Sequence, residues 1–250
     1  MIARLRDEGA TFVLALQFLT RLPLPDVYTP ARMAALPRWF PAAGALIGGL
    51  VALAWLAAAA AFPPALAALL STAFGLLLTG CFHEDGFADA CDGLGGGATR
   101  ERSLEIMRDS RLGTYGAAGL GMMLAVKVAA LAALAPGLVP LALVAGHAAS
   151  RASAVVVLAT SAYVRDHGTG KPVAEGLSPG GLAFALACGA APLALLPPAG
   201  ALAGALGLAA GHLAMRRAYE RKLGGYTGDC LGAVQQVSEA GFLLGLLAWS

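Results

Sequence analysis

Seven of the chain's 15 acidic residues lie between Gly80 and Gly116, in a sequence that is otherwise mostly Ala, Leu and Gly. They fall into two rows. Asp85, Asp89 and Asp92 are spaced i, i+4 and i+7 and share one face if helical. Glu101, Glu105 and Asp109 are spaced i, i+4 and i+8, again one face. Like charges at i, i+4 destabilise a bare helix by roughly 0.2–0.5 kcal/mol per pair, so two such rows ask for a neutralising cation. Oxygen donors with no Cys at metal-ligand spacing select Mg²⁺ or a similar hard ion over zinc. The Gly-rich break Gly93-Leu94-Gly95-Gly96-Gly97 lets two short helices fold into a hairpin, 82–115, that joins the rows. Arg100, Arg102, Arg108 and Arg111 are interleaved with the acids. They could simply pair with them in water, but two converging rows with interleaved cations suit a metal-chelated phosphate better.

Other residues carry weaker signals. Lys127 and Arg151 fall near the middle of apolar segments, where a charge costs several kcal/mol and usually faces the bundle interior. Glu239 is a possible partner, and a structural ion pair is an equal reading for Lys127. Arg151 shares a helical face with His147 and Ser150, which tilts it towards a ligand. His212, before Met215, Arg216 and Arg217, reads as interfacial. Gly224-Gly225-Tyr226-Thr227-Gly228-Asp229 could cap the last helix or offer N–H groups, a hydroxyl and a carboxylate to a phosphate. The polar stretch from Tyr163 to Gly170 could close over a ligand. Glu175, outside the motif, is the reference acid.

These residues sit in a membrane protein. The chain is 58% hydrophobic and 13% charged, with a mean hydropathy of +0.72, which excludes an ordinary soluble domain. A spanning helix needs about 20 mostly apolar residues. The segments 41–62, 64–81, 116–135, 138–161, 181–197, 199–215 and 231–249 answer that description, the fifth and sixth being short. Pro63-Pro64, Pro136-Gly137 and Pro197-Pro198 make tight uncharged turns. The connections 20–40, 82–115, 162–180 and 216–230 are longer and polar. Apart from Lys127 and Arg151, every Lys and Arg lies in these connections or at the N-terminus, so the positive-inside rule puts them in the cytoplasm. Arg4 and Arg6 precede the apolar run Phe12–Leu19, an interfacial helix and not a cleaved signal. The expected architecture is all-α: about seven transmembrane helices plus that N-terminal helix, in one catalytic domain, 1–250. Recurrent glycines at helical spacing indicate close helix packing in lipid. Cys81, Cys91, Cys188 and Cys230 imply no disulfide framework. Gly93-x-Gly95-x-x-Ala98 follows no buried strand and is no dinucleotide site, and no Walker A pattern occurs.

The segment His83-Glu84-Asp85-Gly86-Phe87-Ala88-Asp89-Ala90-Cys91-Asp92-Gly93 resembles the signature of the cobalamin synthase family, the adenosylcobinamide-GDP ribazoletransferases. The run from Arg100 to Gly116, Phe18-Leu19-Thr20-Arg21-Leu22-Pro23 and Gly225-Tyr226-Thr227-Gly228-Asp229 are similar to it as well, in order along nearly the whole chain. Glu84 stands where many members carry an apolar residue. The resemblance implies an inner-membrane, multi-pass enzyme with its site on the cytoplasmic side and Mg²⁺ as cofactor. It would join adenosylcobinamide-GDP to α-ribazole or its 5′-phosphate and release GMP. Asp85, Asp89 and Asp92 would be catalytic metal ligands, with Glu101, Glu105 and Asp109 as further ligands. His83 or one of the Asp residues would take the hydroxyl proton. Arg21, Arg108, Arg111, Tyr115, Arg151, Thr227 and Asp229 would bind substrate. The partners implied are those small molecules and the lipid bilayer, with no nucleic acid and room for a homo-oligomer.

Two rivals use similar parts. CDP-alcohol phosphotransferases of phospholipid synthesis also space aspartates along membrane helices. Their pattern has Ala-Arg soon after the first Asp-Gly and a further Gly-x-x-x-Asp-x-x-x-Asp run, both absent here. A cation transporter would place its carboxylates near the bilayer midplane, whereas most acids here are in the polar connections.

Overall fold

Apolar stretches punctuated by Pro and Gly dictate the architecture. The computed structural model describes residues 2–165 and 177–250. Among them the chain forms eleven α-helices, two 3₁₀ turns and no strand, apart from an isolated bridge between Tyr163 and Tyr226. The helices are α1 (Ile2–Leu19), α2 (Pro30–Ala35), α3 (Phe40–Ala59), α4 (Pro64–Thr79), α5 (Phe82–Gly96) and α6 (Arg100–Ile106). They continue as α7 (Thr114–Ala133), α8 (Val139–Thr160), α9 (Pro179–Ala190), α10 (Pro198–Leu223) and α11 (Gly228–Trp249). Pro64 and Pro198 open α4 and α10 at a position where the missing N–H costs nothing. Ser178 and Thr227 cap α9 and α11 through their side-chain oxygens. Gly224, at φ 74°, ends α10 in the left-handed conformation.

Five helical segments are long and apolar enough to cross a membrane alone: Pro30–Ala59, Thr114–Ala133, Val139–Thr160, Pro198–Leu223 and Gly228–Trp249. The other two expected spans are present as apolar helices but fall short. α4 qualifies only together with α5, across a 91° bend, and Pro179–Leu195 is a shorter apolar helix. The molecule is a multi-pass helix bundle, with five such segments, or six if the bent α4–α5 pair is one span, where about seven were expected. The basic stretch after residue 215 is not a loop. It continues α10 to Leu223, with Arg221 and Lys222 in the last turn, where cations favour the helix dipole.

α8 and α11 form the centre, 78% and 67% buried against 17% for α10. α11 packs against α10, α5, α8 and α7, and α8 also against α3 and α9. α1 is tied to the following turn by Glu8, which accepts from Arg38 at 2.8 Å and from Trp39 Nε1 at 3.3 Å. Of the polar stretch expected to cover a ligand, Tyr163–Arg165 is described. Residues 166–170 and the reference acid Glu175 lie outside the described residues.

Candidate functional site

The acid helix is aimed by a bend. α4 ends at Gly80 (φ 64°), and Cys81 follows in the same left-handed region at φ 59°. Two successive left-handed residues turn the chain, and α5 restarts at once, with the Asp85 N–H donating to Cys81 O at 2.8 Å. α5 therefore leaves the line of the apolar α4 at the 91° bend. It then crosses the start of α11 at two glycines. A Cβ on Gly86 would fall 3.0 Å from Asp229 Cα, and one on Gly232 would fall 2.9 Å from His83 O. Only bare glycine lets the backbones approach this closely, and the approach is what sets Asp85 beside Asp229.

A cavity of about 260 Å³ opens at this crossing. His83, Asp85, Arg151 and Asp229 supply its polar lining, and Phe18, Phe40, Phe82 and Leu231 its apolar one. Arg151 is 2% exposed. Its Nη1 donates to His147 O at 3.0 Å and lies 3.1 Å from His147 Nδ1, while its buried Nε has no partner among the described residues. A buried guanidinium with a free donor on a cavity wall is an anion-holding group in waiting. Among the described residues it forms no ion pair with Glu239.

Of the first acid row, Asp85 is exposed and Asp89 half-buried. Among the described residues neither has a hydrogen-bond or ion-pair partner. Burial, then the charges of Asp229 and Asp85, push the Asp89 carboxyl up to about 7, against an opposing pull from Arg165. Such mutual repulsion is what a bound cation would relieve. Asp229 itself pairs with Arg165 at 2.7 Å and accepts from Thr227 at 3.3 Å. Among the described residues no three His, Cys, Asp or Glu side chains are arranged as a finished metal site. Asp85 and Asp89, oxygen donors with no partner among the described residues, fit a hard divalent ion, and Asp229, already held by Arg165, supplies further carboxylate oxygen beside them.

Asp92 is placed differently from the expectation. Its two oxygens accept the N–H groups of Gly113 at 2.7 Å and Gly116 at 2.8 Å, so it caps the start of α7 from a buried position. Its acceptors are thus committed to the backbone instead of being turned to a metal.

The second row meets the first only at Asp92, away from Asp85 and Asp89. α6 ends at Ile106, so Asp109 is off the helix and the i, i+8 face is never completed. Glu101 is exposed, Glu105 pairs with Arg102 at 2.7 Å, and Asp109 with Arg111 at 2.5 Å. Arg111 holds the Asp109 carboxyl down at about 2. Both acids are thus paired with neighbouring arginines. Glu105 and Asp109 line a separate cleft of about 360 Å³ with Asp92, Arg111 and Tyr115, and Glu101 does not. Arg108 is exposed. Arg21, also exposed, lies over Gly80 at the bend, outside the cavity lining. Thr227 is fully buried and accepts from Cys230 N, a cap for α11 that also orients Asp229.

Beneath the cavity lies a buried polar layer. Lys127 Nζ is 2.8 Å from Glu239 Oε1 and donates to Gln236 Oε1 at 3.1 Å. Gln236 Nε2 donates to Glu84 Oε1 at 2.8 Å, and Gln235 Nε2 to Glu239 Oε2 at 2.7 Å and to Ser150 Oγ at 2.9 Å. Glu84 is thereby a link between α5 and α11. Sequence reasoning missed Gln235 and Gln236, although two amides one turn before Glu239 in an apolar helix were a visible signal. It also gave no role to Arg165. His83 lines the cavity and is 6% exposed.

Relatives of known name match along the whole chain. The family model for cobalamin-5-phosphate synthase matches residues 11–247. An adenosylcobinamide-GDP ribazoletransferase of Leptothrix cholodnii is 47% identical over 99% of this chain and 98% of its own. Those of Ralstonia nicotianae and Vibrio parahaemolyticus are 43% and 40% identical, over 100% and 99% of this chain and 99% and 95% of theirs. No solved structure matches the chain.

Proposed function

Because the chain belongs to the cobalamin-5-phosphate synthase family, it is a membrane-embedded transferase of cobalamin synthesis, and we propose that its reaction takes place in the cavity where α5 crosses α11. The reaction joins adenosylcobinamide-GDP to α-ribazole, or its 5′-phosphate, and releases GMP. The observation that carries the site assignment is the meeting of Asp85, Asp229, His83 and the part-free Arg151 guanidinium on one cavity wall.

In the reaction a ribose hydroxyl attacks the cobinamide-side phosphorus. One P–O bond forms, the P–O bond to the bridging oxygen breaks, and GMP leaves. Arg151 holds a phosphate oxygen with its free donors. His83, on the cavity and with no hydrogen-bond partner among the described residues, takes the hydroxyl proton. Asp85, Asp89 and Asp229 would hold Mg²⁺, which when bound supplies charge stabilisation for the pyrophosphate and the leaving GMP. The basic residues on the polar connections support a cytoplasmic site in the inner membrane.

The test is turnover by the purified protein. Adenosylcobinamide-GDP with α-ribazole should yield GMP and the joined product, and the rate should fall when Mg²⁺ is chelated. CDP-diacylglycerol with an alcohol should give none. Product from the lipid pair alone would overturn the reading.

A further inference from the structure

The cavity is lined by two chemically unlike sets of residues, and phosphoryl transfer explains only one of them. Beside the charged set, with Phe82 edge-on to the His83 ring at 5.3 Å, Phe18 of α1, Phe40 at the start of α3 and Phe82 at the start of α5 meet edge and face. The Phe18 and Phe40 rings stack with centroids 5.7 Å apart and an interplanar angle of 15°. Phe82 meets Phe18 edge-on at 5.2 Å and 73°. Phe40 is 7% exposed, whereas Phe82 is 46% exposed. A half-exposed ring beside carboxylates gains little from core packing, yet Phe82 is set directly before His83 at the helix start that the chain bends to make. The cavity of about 260 Å³ is small among ligand sites, which run from roughly 300 to 1,000 Å³. It takes a flat two-ring group and leaves a corrin macrocycle outside.

We infer that Phe18, Phe40 and Phe82 form the subsite for the alkylated benzimidazole base of α-ribazole, with its ribose directed at Asp85 and His83. This rests on the transfer reaction proposed above. The base is aromatic and carries methyl groups, so stacking and burial both favour it against these rings. Guanine, the other base in the reaction, carries a carbonyl and amino groups along its edge. Against an apolar wall these would lose hydrogen bonds to water without replacement. The two sets thus sort the reactants: the charged one for pyrophosphate, the aromatic one for the attacking nucleoside.

The test uses the full-length protein in detergent and measures α-ribazole binding at equilibrium without the corrinoid, alongside steady-state kinetics. Phe82→Ala, at a ring already half-exposed, is expected to weaken α-ribazole binding by roughly tenfold, in line with loss of one stacking partner. KM for adenosylcobinamide-GDP should stay at the wild-type value, and Phe82→Trp should restore ribazole binding. The wild type should also prefer the dimethylated riboside over the unmethylated one by roughly tenfold or more, as a fitted apolar pocket does. Phe82→Ala should narrow that preference. Phe74→Ala on α4, also partly exposed, is the control for general loss of packing. If Phe82→Ala and Phe18→Ala leave ribazole affinity intact, the subsite is overturned. It is overturned equally if they raise KM for adenosylcobinamide-GDP instead, which assigns the rings to guanine. Absence of turnover by the wild type would sink the reaction itself, a result separable from any of these.

Discussion

Lys127 of α7 and Glu239 of α11 form an ion pair at 2.8 Å with both side chains more than nine-tenths buried. Glu239 is held on its other oxygen by Gln235, and Lys127 also by Gln236. Removing one partner leaves a charge with no water to receive it. Lys127→Met or Glu239→Gln alone should therefore cost about 3–5 kcal/mol, and the double replacement Lys127→Met with Glu239→Leu distinctly less than the sum. Thermal midpoints in detergent would check this. Additive losses would mean the pair is not coupled.

The acids divide by what they touch. Asp85→Asn, Asp89→Asn and Asp229→Asn should each lower turnover by orders of magnitude, as when charge stabilisation of phosphoryl transfer is lost. They should also raise the Mg²⁺ concentration needed. Asp92→Asn should instead lower stability by about 1 kcal/mol, the loss of a helix cap, with its Mg²⁺ requirement unshifted. Asp26→Asn, at an exposed turn residue, is the control. Three Asp variants indistinguishable from it would remove the α5–α11 crossing as the active site.

The raised Asp89 carboxyl predicts a pH dependence. An unfolded chain loses this proton near the ordinary carboxylate value of 3.8, the folded one near 7. Between those values the folded state binds the extra proton, so stability of the metal-free protein should fall as pH rises from about 4 to about 7 and then level off. Mg²⁺ should flatten the slope by favouring the ionised form. Melting curves across that window, with and without Mg²⁺, would show it, and Asp89→Asn should abolish the component. A slope unchanged in that variant would assign it to another group.

Arg151→Lys keeps the charge and loses the planar fork. Binding of adenosylcobinamide-GDP should weaken at least several-fold while the protein stays folded in the membrane. Wild-type KM and turnover in this variant would return Arg151 to a structural role against His147.

Orientation can be read by labelling in a background lacking the four native cysteines. Ala98→Cys, between α5 and α6, should react with an impermeant thiol reagent only once the cytoplasmic face is opened. Gly137→Cys, between α7 and α8, should react from outside. The reverse pattern would invert the topology.

The bundle was legible because its signals are local. Apolar runs broken by Pro63-Pro64, Pro136-Gly137 and Pro197-Pro198 mark helices and turns without reference to the rest of the chain. That Asp85 and Asp89 share one short helix was legible for the same reason, through their spacing. The partners they meet were not. That Asp229 would lie beside Asp85 depends on Gly86 and Gly232 crossing face to face, which no single-segment periodicity records. The second acid row does not keep one face because spacing says which residues share a face only while the helix lasts, and α6 stops at Ile106. Asp92 looked like a third ligand because a carboxylate that caps a distant helix and one that holds an ion have the same sequence spacing.

The shortness of α4 has a consequence for how the chain enters a bilayer. At 1.5 Å per residue, its 16 residues reach about 24 Å, against roughly 30 Å of hydrocarbon. The apolar helix Pro179–Leu195, which continues α9 through a 3₁₀ turn, also falls short. Neither is a segment that a membrane would accept by itself during synthesis. Each is joined by a tight Pro-containing turn to a longer apolar neighbour, α4 after α3 and α9 before α10. Each would thus enter as the lesser arm of a hairpin, carried by the longer one. The acid helix follows that hairpin across the 91° bend, so its row of carboxylates need not share the path of the apolar arm that carries it.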